Sequence, residues 1–486
     1  MNEKLPKGLI LFQHATLRDA LRAFEETGFQ VVLLSSAKGQ LTGVATEGDV
    51  RRALLAGHGL ISPLLPHVNQ NPVVGRVGMP RKELVALLSD RVHFLPVLDE
   101  QDIIRDILFY DRRVMIPVAT PFIGEKELRY VTDAVLSGWI SSQGEYIERF
   151  EDQFASFCGS TYAATVSNGT VALHLALSAL GIGPGDEVIV PALTFVATAS
   201  AVRHCHAAPV FVDIHKDNWN IDPEQIERAI SPRTRAIIPV HLYGQPCQMD
   251  RIQEIAERHH LWVIEDAAEA HGALYHGKRV GSIGHIGCFS FYANKIITTG
   301  EGGMVVTNDR ALNEKIRLLK NHGMNPKRKY WHDVVGYNYR MTNLQAAIGV
   351  AQLERWNQII AAREHIKDFY DAHIDARLFE KTKPVPGAKP VCWLYTLLLK
   401  RAAGKDERDS LLEQLRACNV DSRPAFYPIP AMPPYYRESW KVDYPVARDV
   451  AERGFSLPSS DLDDEAMLRI VTSLNELAAT IRGNSK

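Results

Sequence analysis

The sequence has little cysteine and no surplus of either charge. Six cysteines (Cys158, Cys205, Cys247, Cys288, Cys392 and Cys418) are scattered over 486 residues without a C-x-x-C pair. That excludes a disulfide framework and reads as reduced thiols. Lys plus Arg is 55 against 57 for Asp plus Glu, a formal net charge of −2. No global basic field is available to hold nucleic acid or an anionic membrane. Long apolar runs are also missing. The run before His14 is too short for a signal peptide. The most apolar stretch, Val188 to Val202, is interrupted by Pro191 and several hydroxyls, and a membrane span needs about 20 apolar residues. A soluble, cytoplasmic protein is expected. His204-Cys205-His206 has no second ligand pair at a suitable spacing, so no metal is expected. What remains is ordinary globular composition, 46% apolar and 23% charged. The length suits roughly three domains at ~150 residues each.

Residues 1–113 read as one unit. Leu17, Ala20, Leu21 and Phe24 share a helical face within Ala15 to Phe24. Strands are expected at Val31 to Leu34 and Leu41 to Thr46, and a helix follows from Gly48. A weaker echo has a helix over Arg81 to Leu88 and strands over Val92 to Val97 and Ile103 to Phe109. A repeat of about 60 residues suggests two modules, each covering the other's apolar face. The stretch G-V-A-T-E-G-D-V-R-R, Gly43 to Arg52, resembles a tandem cystathionine-β-synthase-type (CBS) regulatory pair. That resemblance implies purine-nucleotide binding by Thr46 and Asp49. The alternative is that the two merely cap the following helix. In the second module Leu108 stands where the hydroxyl belongs, before Asp111, so at most one nucleotide site is expected.

The texture changes near the junction Arg112 to Pro117. Strands are expected at Glu187 to Val190, Val210 to Val212, Ala236 to Val240, Trp262 to Ile264 and Met304 to Thr307. Helices are expected at Thr170 to Leu180, Pro223 to Ile230 and Met249 to His260. Apolar strands separated by helices predict an α/β fold with a mostly parallel sheet covered on both faces. Beyond about residue 370 a smaller α/β portion follows, ending in a helix over Asp464 to Ile481. G-I-G-P-G-D, Gly181 to Asp186, follows a helix and lacks a G-K-[ST] ending, so it reads as a helix stop. Lys320, Lys327, Arg328 and Lys329 read as a solvated basic loop, the alternative being a cluster that meets a diphosphate.

Three motifs carry chemistry. In V-S-N-G-T, Gly169 and Thr170 open a helix whose free N–H groups make a phosphate cradle. In L-W-V-I-E-D-A-A-E-A-H-G an apolar strand ends in Glu265-Asp266, and a carboxylate there suits a protonated ring nitrogen. In C-F-S-F-Y-A-N-K-I-I-T-T-G-E-G-G, Lys295 lies between an aromatic stretch and a glycine turn, with Ser290 five residues before it. A desolvated lysine has a lowered pKa and becomes a nucleophile toward an aldehyde. Cradle, carboxylate, aromatic platform and lysine are together what pyridoxal 5'-phosphate requires.

These motifs occur with S-G-W-I-S-S-Q-G (Ser137 to Gly144), P-V-H-L-Y-G (Pro239 to Gly244) and R-K-Y-W-H-D (Arg328 to Asp333). Y-N-Y-R-M-T-N-L-Q (Tyr337 to Gln345) and S-R-P-A-F-Y-P (Ser422 to Pro428) complete the set. From about Met115 onward the chain resembles the DegT-type nucleotide-sugar aminotransferases of fold-type I. Within that family it is nearest the branch that converts GDP-4-keto-6-deoxymannose to GDP-perosamine. The resemblance implies a seven-stranded large domain over 114–370 and a small domain over 371–486. It also implies pyridoxal phosphate as cofactor, L-glutamate as amino donor and a homodimer or a dimer of dimers.

By position, the resemblance makes Lys295 the Schiff-base lysine and Asp266 the partner of the pyridine nitrogen. Glu269 lies near the ring hydroxyl, Phe195 stacks on the ring, and Gly169, Thr170 and Ser290 hold the phosphate. Asn338 and Arg340 lie on a segment lent by a neighbouring subunit. Ser142, Tyr330, His332, Arg423 and Tyr427 lie in stretches resembling substrate-contacting loops. Ala293 and Ile296 depart from the Gly and Thr frequent in that branch, which bears on pocket shape alone. A related dehydratase branch replaces the lysine with His, so Lys295 favours transamination.

Overall fold

A computed structural model describes residues 8–79, 83–84, 87–88, 92, 94–109, 115–400 and 405–484. The chain divides into two compact units, Met1–Met115 and Ile116–Lys486.

In the first unit Ile10–Phe12 pairs parallel with Val31–Ser35, which pairs antiparallel with Leu41–Thr46. A second sheet repeats the order. Gly75–Arg76 runs parallel to Phe94–Leu98, and that strand runs antiparallel to Ile104–Phe109. Strand period explains how the two cores form. Val32, Leu34 and Ala45 face helices Leu17–Thr27 and Glu47–Leu55 through Leu17, Ala20 and Val50. Val31, Leu33 and Val44 point the other way, onto Leu98, Ile104 and Ile107 of the second sheet. Part of the expected helix over Arg81 to Leu88, and Asp111, lie outside the described residues.

Thr46 and Asp49 form a capping box. The Thr46 hydroxyl and N–H donate to Asp49 Oδ2 (2.6 and 2.8 Å), and the Asp49 N–H donates to Thr46 Oγ1 (3.2 Å). Arg52 pairs with the other Asp49 oxygen. Thr16 and Asp19 build the same box on the preceding helix, so the T-x-x-D spacing is at least a helix start here. Thr46→Ala is expected to cost about 1 kcal/mol of stability. Thermal unfolding checks this, with Thr16→Ala as the matched comparison.

The second unit is built on a seven-stranded sheet. Its spatial order is Tyr162–Val166, Gly303–Thr307, Ile286–Ser290, Trp262–Asp266, Thr234–Ile237, Glu187–Pro191, Ala208–Val212. Gly303–Thr307 runs antiparallel to both its neighbours, and the remaining pairs are parallel. Two strands escape the sequence reading. Tyr162–Val166 is short and alanine-rich. Ile286–Ser290 contains Gly287, where a Cβ would lie 2.0 Å from the Gly281 carbonyl oxygen. Glycine within this strand serves close backbone approach.

Helix Gly169–Leu180 ends at Gly181 with φ of 80°, the expected left-handed stop. Lys320 corrects the sequence reading. It is the last residue of helix Arg310–Lys320, is buried, and donates to Glu151 Oε1 (3.0 Å) and the Thr165 carbonyl (2.9 Å). A buried carboxylate supplies the partner that lets the amine leave water. Lys327, Arg328 and Lys329 are exposed.

A smaller antiparallel sheet follows, in the order Phe379–Glu380, Tyr395–Leu399, Gly454–Leu457, Arg423–Pro424. Helix Trp356–His373 serves both cores, with Ile359 in the first and Ile366 and Tyr370 in the second. Residues 370 and 371 therefore lie within a continuous helix. Among the described residues no helix is long and apolar enough to cross a membrane.

Candidate active site

Strand Trp262–Asp266 ends in two adjacent carboxylates, and alternation sends them to opposite faces. Glu265 is fully buried and fully satisfied. It accepts the N–H groups of Gly281 (2.7 Å), Ile283 (2.7 Å) and Gly284. It also takes the His241 Nε2 proton at 3.0 Å, since His241 Nδ1 is already an acceptor for the Cys247 N–H. Glu265 is spent on holding the turn after the strand.

Asp266 has far less. Oδ2 accepts from the Thr198 hydroxyl (2.8 Å) and Oδ1 from the Ala268 N–H (3.2 Å). Burial pushes its pKa up, against the Thr198 hydroxyl, the Ala268 N–H and the charge of Lys295. A buried carboxyl in this state is a receptor for a cation.

Three residues further, Glu269 accepts the Tyr243 N–H at Oε2 (2.8 Å) and has Oε1 3.7 Å from Lys295 Nζ. Burial pushes its pKa up to about 7, opposed by Lys295 and the Tyr243 N–H. A carboxyl raised from its unfolded value contributes stability that is complete below that value and lost as pH rises through about 7. Glu269→Gln is therefore expected to gain on the parent from about pH 4.5 to 7, by an amount on the order of 3 kcal/mol. Thermal unfolding of the cofactor-free proteins at the two ends of that window checks the sign. An unchanged difference would contradict it.

Lys295 has a side chain only 11% exposed, and burial lowers its pKa against the pull of Glu269 and Asp266. Its Nζ lies 3.8 Å from the centroid of the Trp393 ring. His271, between Phe289 and Phe291, is buried and neutral, its pKa lowered to about 3 by burial.

The cradle forms where helix Gly169–Leu180 meets the end of Ile286–Ser290. A Cβ on Gly169 would lie 2.7 Å from Ser290 Cβ, so only glycine admits this approach. Asn168 caps the Val171 N–H (3.0 Å). The Gly169 and Thr170 amides have no intrahelical acceptors, and the Ser290 side chain lies against Gly169. Anion cradle, buried acid and low-pKa amine fit a phosphate-bearing pyridinium aldehyde. The fit rests on the close approach at Gly169 and on the under-satisfied Asp266.

The other expected residues divide into groups. Phe195 is 56% exposed, three residues before Thr198, with its ring 6.0 Å from Phe426. Tyr427 adjoins Phe426, whose N–H donates to the Tyr243 hydroxyl (3.1 Å), and Arg423 is exposed on its short strand. Ser142 lies in a loop pinned by Asn343, which donates to the Trp139 carbonyl (2.7 Å). Tyr330, His332, Asn338 and Arg340 share one segment, 321–340. Arg340 donates to Asn338 (2.9 and 3.1 Å) and Asn321 (3.1 Å), and His332 Nδ1 lies 2.9 Å from the His322 carbonyl. That segment meets the cradle where the Ser167 N–H donates to the Tyr339 carbonyl (2.9 Å). Thr198, Tyr243 and Trp393 were missed. Thr198 had a local signal, standing three residues past Phe195. Tyr243 also had one, lying within the P-V-H-L-Y-G stretch, whereas Trp393 is joined to the site only by the fold.

The comparisons agree with this chemistry. Residues 121–475 match the model of the DegT/DnrJ/EryC1/StrS aminotransferase family, and residues 6–56 match the CBS domain. A GDP-perosamine synthase of Caulobacter vibrioides is 48% identical over 366 residues, covering 74% of this chain and 98% of that protein. One from Escherichia coli O157:H7 is 47% identical over 362 residues, covering 74% and 98%. Among solved structures, a putative sugar aminotransferase, Spr1654 from Streptococcus pneumoniae, in PMP form, superposes with TM-score 0.73 at 28% identity, covering 76% of this chain and 99% of its own. Its PLP form gives 0.72 with the same coverage. An N-terminal CBS domain thus precedes a fold-type I α/β enzyme, and with a buried amine, a buried acid and a phosphate cradle set in that fold, the chain belongs to the DegT/DnrJ/EryC1/StrS family as a pyridoxal-phosphate-dependent sugar aminotransferase.

Proposed function

We propose that this enzyme transfers the amino group of L-glutamate to the C4 ketone of GDP-4-keto-6-deoxy-D-mannose. The product is GDP-perosamine, destined for a surface polysaccharide such as O-antigen. The carrying observation is the 48% identity that spans 98% of a GDP-perosamine synthase. The test is a panel of GDP-, UDP- and dTDP-linked 4-keto sugars with L-glutamate and mass-spectrometric product detection. The GDP sugar is expected to give the aminated product at the highest kcat/KM. A preference for a dTDP sugar would overturn the proposal and favour the second reading. That reading draws on a dTDP-3-amino-3,4,6-trideoxy-alpha-D-glucose transaminase of Streptomyces venezuelae, 39% identical over 381 residues.

The residue roles belong to the same proposal. When bound, pyridoxal phosphate supplies an electron sink and a temporary carrier for the amino group. Lys295 is the amine that holds its aldehyde carbon. With the cofactor bound, Lys295 Nζ would also carry the proton to and from the amino donor's Cα. Asp266, held ionised by a neighbouring cation, keeps the ring nitrogen protonated. Thr198 orients that carboxylate. Glu269 faces the lysine and would meet the ring hydroxyl, and Phe195 would cover the ring. The Gly169 and Thr170 amides and Ser290 would hold the phosphate, and Asn338 and Arg340 would reach the cofactor from the neighbouring subunit. Ser142, Tyr330, His332, Arg423 and Tyr427 contact the nucleotide sugar. Two copies assemble so that segment 321–340 of each completes the other's site, and the protein works in the cytoplasm.

The N-terminal unit, residues 1–113, is assigned a regulatory role through purine nucleotide at Thr46 and Asp49. Both side chains already serve the helix cap, so a ribose diol has to compete with Arg52 and the Thr46 hydroxyl. Calorimetry with AMP, ATP, GDP and GTP tests this. No heat from any of them would leave the unit as an assembly element.

A further inference from the structure

We propose that Trp393 is a positioning residue for the reaction, its indole face holding the ε-ammonium of Lys295 whenever that amine is not bonded to the cofactor. The inference rests on Lys295 being the cofactor lysine. Such a lysine alternates between bonded and free, on a flexible four-carbon stem. In the free state its charge is buried, and a buried charge without a partner is costly. It therefore needs a fixed place to wait.

Glu269 alone does not provide that place. Its Oε1 is 3.7 Å from Lys295 Nζ, beyond a good hydrogen bond. The Trp393 ring centroid is at 3.8 Å, well inside the range where an aromatic face attracts a cation, and indole is the strongest such face. The ring is also rigidly held. Its Nε1–H donates to the carbonyl of Asn294, the residue before Lys295 (2.8 Å). Its own carbonyl accepts from Arg363 (2.8 Å), which donates as well to Ser459 (3.1 Å). Its face stacks on Tyr243 at 6.2 Å and 17°. Tyr243 in turn gives its N–H to Glu269. Amine, ring and acid thus form a closed loop in which moving one disturbs the other two.

The chemistry favours a ring over a tight ion pair. A carboxylate in direct contact would hold the proton firmly and raise the lysine pKa. A ring stabilises the ammonium modestly and has no basic site to take its proton. Lys295 then keeps a pKa below the ordinary lysine value, and its ammonium can give up its proton when the reaction calls for the free amine. The charged and titratable groups around it are Glu269 and Asp266, the neutral His271 of the same turn, and Arg363 behind Trp393.

The test uses the full-length, cofactor-free protein and its Trp393→Phe and Trp393→Leu variants. Competitive acetylation with acetic anhydride, read by peptide mass spectrometry from pH ~6 to ~11, gives the titration of Lys295 itself. Trp393→Leu is expected to lower its apparent pKa by about 0.4 to 1.5 units, raising the reactive fraction about 2- to 30-fold. Trp393→Phe loses the same Nε1 hydrogen bond but keeps an aromatic face, and is expected to fall between. An equal shift in Phe and Leu would assign the effect to the hydrogen bond and overturn the proposal. So would Lys295 titrating alike in all three proteins. Borohydride reduction of each protein reconstituted with pyridoxal phosphate separates the two levels. A label on Lys295 with no shift on substitution sinks only the role of Trp393, and a label elsewhere sinks the cofactor assignment beneath it.

Discussion

Lys295→Ala is expected to remove amino transfer almost completely, by about 10⁴-fold or more in kcat/KM. The same residue is both covalent anchor and proton carrier, and neither the weak acid Glu269 at 3.7 Å nor solvent can take over a buried transfer. Lys295→Arg should fail equally, because guanidinium keeps its proton at any working pH. Mass-spectrometric detection of the aminated sugar checks both variants. Activity within tenfold of the parent would contradict the assignment. The fold should survive, since Lys295 is partnered by a ring and a distant carboxyl and not by a dense hydrogen-bond network.

Asp266→Asn carries the second large effect, a loss on the order of 10³-fold. The amide keeps the shape of the side chain, its oxygen can accept the Ala268 N–H and its NH2 can donate to the Thr198 hydroxyl oxygen, so folding should be preserved. What it loses is the negative charge that keeps a ring nitrogen cationic. Glu265 is the internal comparison. Glu265→Ala strands three backbone N–H groups and His241 in a dry interior, and is expected to cost about 3–5 kcal/mol of stability. One strand end therefore yields two opposite signatures. Position 266 should lose turnover and keep its unfolding temperature, and position 265 should lose the fold. Steady-state kinetics and thermal unfolding of both variants check this, and a reversed pattern would contradict it.

How much of this was legible in the sequence follows from what is local. Gly169 and Thr170 begin a helix, Asp266 and Glu269 stand three apart after a strand, and Lys295 sits before a glycine turn. The helix start, the carboxylates ending the strand and Lys295 read from their neighbours, and Glu269 only from the family resemblance. Glu265 and Asp266 look equivalent in sequence. Only the pleat and the turn at Gly281 to Gly284 show which one is already satisfied. Trp393 carries no local signal, since nothing in C-W-L-Y announces that its ring lies over a lysine nearly a hundred positions earlier. Lys320 was misread because the end of its helix was not located, and the last turn carries it inward to Glu151. Strand Ile286–Ser290 went unread, and its Gly287 is fixed by the close approach of the Gly281 carbonyl, which only the fold shows. Thr46 and Asp49 allowed two readings, and the matching box at Thr16 and Asp19 gives the capping one a structural counterpart.

Borohydride reduction of the cofactor-loaded enzyme, followed by peptide mapping, bears on all of this at once. The reduced pyridoxyl group is expected on the peptide containing Lys295, at about one per chain. A label on the buried amine of Lys320, on any other lysine, or no label at all, would contradict the chemistry proposed for this site.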